Sequence, residues 1–350
     1  MSETKQQETE FHQQRNEHVD RYLKKVLKPF LPNAKISSVY SMGAVGRPFG
    51  GATIQISPSN KSLLGSKYYY NKQLKFIHYT SLRNALNILR EKAIRLYDLN
   101  SMNDPLELSH SIKSLLPEKS DHLIDDWKQT VFCLSMCDFR REEEKKNFDN
   151  WRIFGDNGKG IGMVLSFPKY SQKNWLNRYL SHVYYKDIDL KEIKKFFKRH
   201  NDFIEKNGFN IRDPIKNLIL HISCFHKVGI YENENEVRYL YIIDKKSYQD
   251  HDSKEVETDI VNNKQVYYTR LPLDRRELES RLKNLEFKTE EKQRIRRLFP
   301  EVKVEQIILG YDYQKSDVWD IKRVVNQLSQ SNLGYQVDVK ISELKEYFKK

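Results

Sequence analysis

The spacing of apolar positions alternates along this chain between a helical period and a strand period. A helical stripe runs through residues 11–30, where apolar side chains recur every three or four positions. From residue 74 onward, strands and helices mix without the strict βαβ alternation of a parallel sheet. The most strongly apolar strand pattern covers residues 236–243. This pattern predicts an α+β protein.

The individual elements follow from the same periodicity and from cap and turn residues. Strands are predicted at residues 35–40, 52–56, 74–79, 93–97, 130–135, 160–167, 180–185, 236–243 and 304–309. Helices are predicted at 82–90, 190–203 and 214–228, and Asp104, Pro105 and Glu107 mark a further helix start. Residues 244–259 are polar, further helices are expected beyond them, and 335–348 form a closing strand and helix. The glycine-rich residues 43–51 lack the Lys-Ser/Thr of a P-loop and are typical of a loop.

Composition favours a soluble, cytoplasmic protein. Of the 350 residues, 38% are hydrophobic and 31% are charged, and the longest apolar runs are strand-sized. The polar N-terminus has no signal-peptide core. Three sparse cysteines fit a reducing compartment and core packing. His221, Cys224 and His226 cluster without a second pair at zinc spacing, so we expect them to be structural and predict no metal.

The charge balance is strongly basic. There are 61 Lys and Arg against 48 Asp and Glu, which gives a net charge of +13. Such a balance is consistent with a polyanionic partner such as nucleic acid. In residues 275–297, however, acidic side chains are interleaved with the basic ones, as on solvated helix faces with ion pairs four residues apart.

The first candidate site is His78-Tyr79-Thr80, which closes a predicted strand just before a helix. A histidine there offers a donor or an acceptor near neutral pH, and a hydroxyl group stands two residues away. The alternative is structural: Thr80 or Ser81 caps the helix and His78 packs at the strand end.

The second candidate is the acidic entrance to the strongest strand. If the strand already runs at Glu234, its period of two places Glu234, Glu236 and Arg238 on one face. Carboxylates and a guanidinium that lead into an apolar strand are costly unless they are paired or used. The alternative is a simple Glu–Arg pair at a strand entrance.

Aromatic residues form the third group. Trp151 and Phe154 precede a glycine-rich turn, and Tyr184 and Tyr185 end a predicted strand. Such side chains can stack on a planar heterocycle, although core packing is the more common role for each of them.

The order of seven short motifs resembles a large bacterial family of unknown function. The motifs are FIHYTSLRNALNILREKAIRL, LNSMNDPLE, VFCLSMC, NWRIFGDNGKGIGMVLSF, VYYK, YENENEVRYLYI and VEQIILGYD. That family in turn resembles the histidine–tyrosine–glutamate branch of the ADP-ribosyltransferase superfamily. The resemblance covers about residues 74–341 and leaves the N-terminal stretch outside it.

The resemblance implies a fold and a domain plan. The fold would be an ADP-ribosyltransferase-like core of two packed, mostly antiparallel sheets with flanking helices. Residues 66–250 would form this core, 251–350 its C-terminal part, and 1–65 a separate helical and strand appendage.

The resemblance also implies an activity and a site. Glu236, with Glu234 acting on the acceptor, would be catalytic, and NAD would be the substrate. His78, Tyr79, Thr80, Arg238 and either Tyr184 or Tyr185 would bind NAD. We expect His78 and Glu236 to face one cleft, with no metal.

The expected reaction is transfer of ADP-ribose from NAD to a protein or nucleic-acid acceptor, as in bacterial toxins and defence effectors. One alternative is an NAD glycohydrolase. The other is an inactive, basic nucleic-acid-binding or regulatory module on the same fold. No membrane partner is expected.

Overall fold

The computed structural model of the chain shows an α+β fold. It describes residues 3–36, 38–41, 52–55, 59–72, 75–102, 108–115, 120–139, 148–167, 172–207, 214–243, 256–261, 263–274 and 300–347. These residues belong to two compact units with interleaved segments. Unit 1 comprises Met1–Tyr70, Leu106–Ile124 and Tyr184–Gly229, and unit 2 comprises Asn71–Pro105, Asp125–Val183 and Ile230–Lys350. The domain bounds expected from the family resemblance stay a prediction.

Unit 1 is mainly helical. Its described elements are helix α1 (Glu3–Tyr22), a π-helical turn (Leu23–Leu27), strands β1 (Ser38–Ser41) and β2 (Ala52–Gln55), and helices α2 (Asn60–Leu63), α4 (Ser109–Leu115), α7 (Asp187–Asn207) and α8 (Pro214–Ser223). Strands β1 and β2 pair antiparallel. Ser59 caps α2 through the reciprocal hydrogen bonds of a capping box with Ser62. The apolar stripe predicted for residues 11–30 is confirmed, because Tyr22, Val26 and Leu27 are buried.

Unit 2 is built on a ten-stranded sheet. Its strands are β3 (Lys75–Thr80), β4 (Ala93–Asp98), β5 (Val131–Asp138), β6 (Ile161–Ser166), β7 (Arg178–His182), β8 (Glu236–Ile242), β9 (Glu257–Val261), β10 (Lys264–Pro272), β11 (Lys303–Leu309) and β12 (Asp338–Ile341). Its described helices are α3 (Leu82–Glu91), α6 (Phe148–Ile153) and α9 (Lys315–Leu333), and α5 (Ser120–Thr130) begins in unit 1 and ends in unit 2. The described pairs are antiparallel except for β11 with β12.

Strand β5 joins two arms of this sheet. One edge of β5 pairs with β8 over seven residues, and β8 pairs in turn with β7. The other edge is shared, because β3 pairs with its C-terminal end and β4 with its N-terminal end. One arm continues from β3 through β6 and β11 to β12, and the other from β4 through β10 to β9. All seven residues of β8 are buried, in keeping with its five apolar or aromatic side chains, and its two charged residues come at the start of the strand.

The predicted α+β class is confirmed. The strands of unit 2 form one hydrogen-bonded network through β5. The finer expectation of an ADP-ribosyltransferase-like core of two packed sheets stays a prediction. The hairpin of β9 and β10, with Asn263 at a left-handed φ of 61°, has no counterpart among the predicted strands. Helix α9 lies in the region beyond residue 259 where further helices were predicted. Strand β9 is an edge strand with mostly exposed residues, so it lacks a strong apolar alternation.

Other predictions agree with the structure to within a few residues. The predicted strand at 180–185 is β7, but it ends at His182. The predicted helix at 214–228 is α8, which ends at Ser223. The glycine-rich residues 43–51, the helix start at Asp104 and the charged stretch 275–297 lie outside the described residues. Among the described helices, none is long and apolar enough to span a membrane.

Candidate functional site

The entrance to β8 carries a buried ion pair. Glu236 is 4% exposed and Arg238 is 0% exposed. The Arg238 guanidinium donates from Nε to Glu236 Oε1 at 2.9 Å and from Nη2 to Oε2 at 3.3 Å. The period of two along the strand places both side chains on one face, as predicted, and the forked contact uses both carboxylate oxygens.

Ser135 on β5 completes this cluster. Its hydroxyl group donates to Glu236 Oε1, the oxygen that also accepts from Arg238 Nε. Ser135 lies directly opposite Arg238 in the β5–β8 register, so its side chain shares the face of the pair. The sequence analysis missed Ser135. The sequence gives little indication of its role, because Ser135 is a single hydroxyl residue within the apolar motif VFCLSMC.

His78 contacts the same strand through the backbone. Its Nδ1 lies 3.0 Å from the carbonyl oxygen of Ser135. A carbonyl oxygen only accepts, so Nδ1 carries the proton and a neutral His78 has an unprotonated Nε2. Burial lowers the pKa of His78 and outweighs the opposing effect of this hydrogen bond, which favours the neutral form at neutral pH.

The register separates His78 from Glu236. Strands β3 and β8 both flank β5, so the two residues lie one strand apart, which agrees with the predicted proximity of their strands. Ile77 pairs with Cys137, and Cys137 pairs with Glu236, so these three side chains share a face. Alternation then places Tyr79 on that face and His78 on the other. This register does not meet the expectation that His78 and Glu236 face one cleft. The two residues are instead connected through Ser135, whose carbonyl oxygen contacts His78 and whose hydroxyl group contacts Glu236.

Glu234 is not part of the strand. It ends a 3-10 turn (Gly229–Glu234), and Asn235 has a left-handed φ of 44° before β8 begins at Glu236. The prediction that Glu234 is aligned with Glu236 by strand alternation is therefore wrong. The Glu234 backbone instead anchors the turn, because its carbonyl oxygen accepts from Cys137 Sγ at 3.4 Å.

Tyr79 and Thr80 occupy the end of β3 as expected, with different contacts. Tyr79 is buried, and its ring meets Trp151 edge-on at 5.0 Å between centroids. Thr80 Oγ1 accepts from Asn84 Nδ2 at 3.3 Å. Ser81 caps α3 by accepting from the Asn84 backbone N–H at 3.2 Å, which confirms the structural alternative for this residue.

Tyr184 and Tyr185 belong to unit 1. The Tyr184 hydroxyl donates to the Lys67 carbonyl oxygen, and the Tyr184 ring packs against those of Tyr68 and His226. The prediction that one of the two tyrosines lines the site around Glu236 stays a prediction.

Asn150 and Trp151, at the middle of helix α6, lie beside Cys137 on the Glu236 face of the sheet. Asn150 Nδ2 donates to Cys137 Sγ at 3.4 Å, and Trp151 packs in the apolar cluster that contains Ile77, Tyr79 and Cys137. Asn150 and Trp151 are buried. Within the described ranges, Asn150 Oδ1 and Trp151 Nε1 have no hydrogen-bond partner. Buried polar atoms are usually hydrogen-bonded, so these two are candidates for contact with a ligand.

The cysteines are buried, and His226 and Cys224 of the cluster noted in the sequence each contact a neighbouring residue of unit 1. Cys133, Cys137 and Cys224 are buried and unbridged. His226 Nε2 lies 3.2 Å from the Tyr68 hydroxyl, and Cys224 Sγ donates to the Leu220 carbonyl oxygen at 3.2 Å. In the described part of the chain, no group of three or more His, Cys, Asp or Glu side chains could hold a metal ion.

Comparison with known proteins gives no relative. A scan against protein-family models, a search of curated proteins and a search of solved structures each found no match to this chain. The resemblance to the bacterial family and to the ADP-ribosyltransferases therefore stays a prediction that rests on the motifs.

Proposed function

We propose that the chain is an NAD-dependent ADP-ribosyltransferase whose site is centred on Glu236. The observation that carries the proposal is a buried carboxylate fixed by a serine hydroxyl group and an arginine fork at a strand entrance. Structure alone does not require a charged pair there, because apolar residues of similar volume commonly fill such a position at no cost. A fixed negative charge is, however, what the breaking nicotinamide–ribose bond needs.

In the proposed reaction, the bond between nicotinamide and the ribose breaks and its electron pair leaves with nicotinamide. The sugar develops positive charge, as in glycoside hydrolysis, and the acceptor attacks it and loses a proton. Glu236 stabilises this charge, and the contacts with Ser135 and Arg238 hold its carboxylate in place. His78 acts as a positioning residue through the Ser135 carbonyl group. Because Glu236 is 4% exposed, access for the sugar requires movement of the groups that cover it.

The hydrogen-bonding capacity of the neighbouring residues fits nicotinamide. Its carboxamide has an N–H donor and a carbonyl acceptor. Asn150 Oδ1 is an acceptor and Trp151 Nε1 a donor, and both are buried on the Glu236 face without a described partner. Tyr79 is the tyrosine that alternation places on this face, and we propose that it contributes the aromatic surface expected of Tyr184 or Tyr185.

The test is nicotinamide release from NAD by the full chain, with and without RNA, DNA or cell extract as acceptor. We expect Glu236→Gln to lower the rate by about 100-fold or more, the usual effect of losing a charge-stabilising group. The matched control is Glu257→Gln. Glu257 is also paired with an arginine in unit 2, with Arg270 Nε at 2.7 Å from Oε1, but on the β9–β10 hairpin. We expect this control to keep the wild-type rate.

The outcomes separate the alternatives. Release without any added acceptor indicates the glycohydrolase. Equal rates for the wild type and Glu236→Gln would show that another carboxylate is catalytic. No release by the wild type under any condition would refute the proposal and favour the inactive, nucleic-acid-binding or regulatory module. Thermal unfolding of each variant shows whether a lost rate reflects lost folding.

A further inference from the structure

Unit 1 contains a cavity of about 390 Å³ that the proposed reaction does not use. It lies between the segment after the π-helical turn, the turn at residues 65–68 and helix α7. This volume is in the range of pockets that hold small molecules. Its aromatic residues, which form the floor, and its charged side chains indicate what it binds.

The floor is aromatic and held in place. The rings of Phe30 and Phe196 stack at 4.6 Å between centroids with 17° between their planes, and Tyr68 meets Phe30 edge-on at 5.9 Å. Phe196 and Tyr68 are buried, whereas Phe30 is half-buried. The Tyr68 hydroxyl is fixed by its hydrogen bond with His226. A rigid aromatic surface with one partly accessible ring suits a planar ligand.

One of the three cations at the cavity is already neutralised. Lys67 Nζ lies 3.0 Å from Asp189 Oδ1 and 3.0 Å from Glu192 Oε2. The same ammonium lies over the rings of Tyr68 and Tyr184, at 5.4 and 4.7 Å from their centroids. Lys67 therefore uses both nearby carboxylates and is a fixed part of the wall.

The other two cations are available to a ligand. Lys195 and Arg199 line the cavity from successive turns of α7 and are exposed. Neither forms an ion pair with any residue that the structure describes. Two like charges four residues apart slightly destabilise a helix, so this pair does not itself stabilise α7. An ammonium and a guanidinium side by side are suited to a phosphate, which the guanidinium can bind through two hydrogen bonds.

We propose that this cavity binds a nucleoside phosphate, with the base against Phe30 and the phosphate between Lys195 and Arg199. The combination of an aromatic surface with adjacent cations is the one that nucleotides require. The ligand can be a free mononucleotide or a nucleotide within a single strand of nucleic acid, since both have this chemistry. The inference does not depend on the activity proposed for Glu236.

The experiment measures binding of adenosine 5′-monophosphate, adenosine, inorganic phosphate and a single-stranded RNA of about ten nucleotides to the full chain. The variant is Lys195→Gln with Arg199→Gln. The matched control is Lys194→Gln with Lys198→Gln, which makes a similar charge change on the same helix at exposed residues outside the cavity lining. Phe30→Leu tests the base contact while keeping an apolar side chain.

We expect the cavity variant to weaken binding at least tenfold, the effect of about one charge-assisted hydrogen bond, and the control to change it less than twofold. Phe30→Leu should weaken the nucleotide but not inorganic phosphate. If the monophosphate binds more tightly than RNA, the ligand is the free nucleotide. If only RNA binds, and the cavity variant loses this binding, the ligand is a nucleotide within a single strand. Equal losses in both double variants would show a non-specific basic helix and overturn the proposal, as would no binding of any probe at about millimolar concentration. Unchanged thermal unfolding confirms that each variant is folded.

Discussion

Removing one member of the Glu236–Arg238 pair should destabilise unit 2 far more than removing a member of an exposed pair. At an effective dielectric constant of about 20, the attraction across the 2.9 Å contact is about 6 kcal/mol, and it offsets a desolvation cost of several kcal/mol for each ion. The intact pair is thus near neutral in net free energy. Glu236→Gln leaves Arg238 buried beside an uncharged partner, which costs about 3–5 kcal/mol. Glu257→Gln breaks the half-exposed pair with Arg270 and should cost at most about 1 kcal/mol.

Urea unfolding followed by tryptophan fluorescence measures this difference. All four tryptophans lie in unit 2, and Trp151 and Trp175 are buried there, so the signal reports on the unit that contains the pair. A loss below about 1 kcal/mol for Glu236→Gln, equal to that of Glu257→Gln, would refute the argument that both charges are buried and mutually dependent.

Three further changes test other parts of the fold. Burial lowers the pKa of His226 to about 3, below its unfolded value of 6.5, so protonation favours unfolding. The unfolding free energy should fall by up to about 1.4 kcal/mol per pH unit as the pH decreases from 6.5 towards 3, and His226→Gln should flatten this slope in denaturation monitored by circular dichroism. Gly158→Ala should lower the stability by about 2 kcal/mol or more in thermal unfolding, because Gly158 has a φ of +84° and an added Cβ would lie 2.5 Å from the Tyr311 ring. Ser81→Ala removes the cap of α3 and should cost about 1 kcal/mol by the same measurement.

Local patterns were sufficient to predict the strands that surround the candidate site. Strands β3, β6 and β8 lie within one or two residues of their predicted bounds, because buried strands have apolar runs bounded by polar or glycine residues. The pairing of Glu236 with Arg238 could also be predicted, because residues two positions apart on a strand lie on the same face of the sheet.

Contacts that depend on which strands pair, and in which register, could not be predicted from the sequence. Ser135 joins the cluster only because β5 pairs with β8 in the register that sets it opposite Arg238. The separation of His78 from Glu236 likewise follows from two successive registers, β3 on β5 and β5 on β8. Glu234 was misplaced because a left-handed Asn235 ends the alternation one residue before the strand begins, and asparagine tolerates that conformation without an unmistakable sequence signal.

Whether the buried pair is retained for structure or for chemistry can be decided by combining stability with activity. Glu236→Leu with Arg238→Met replaces both charges by apolar side chains on a strand that is buried throughout, and such replacements are commonly neutral or stabilising by about 1–4 kcal/mol. We expect this double variant to be at least as stable as the wild type in urea and to release no nicotinamide. A stable but inactive variant would mean that the carboxylate is kept for its reaction, because proteins retain costly charges where function needs them. A double variant that is less stable than the wild type by about 3 kcal/mol or more would instead show that the pair holds β8 between its neighbours, and the buried carboxylate would then no longer support a catalytic role.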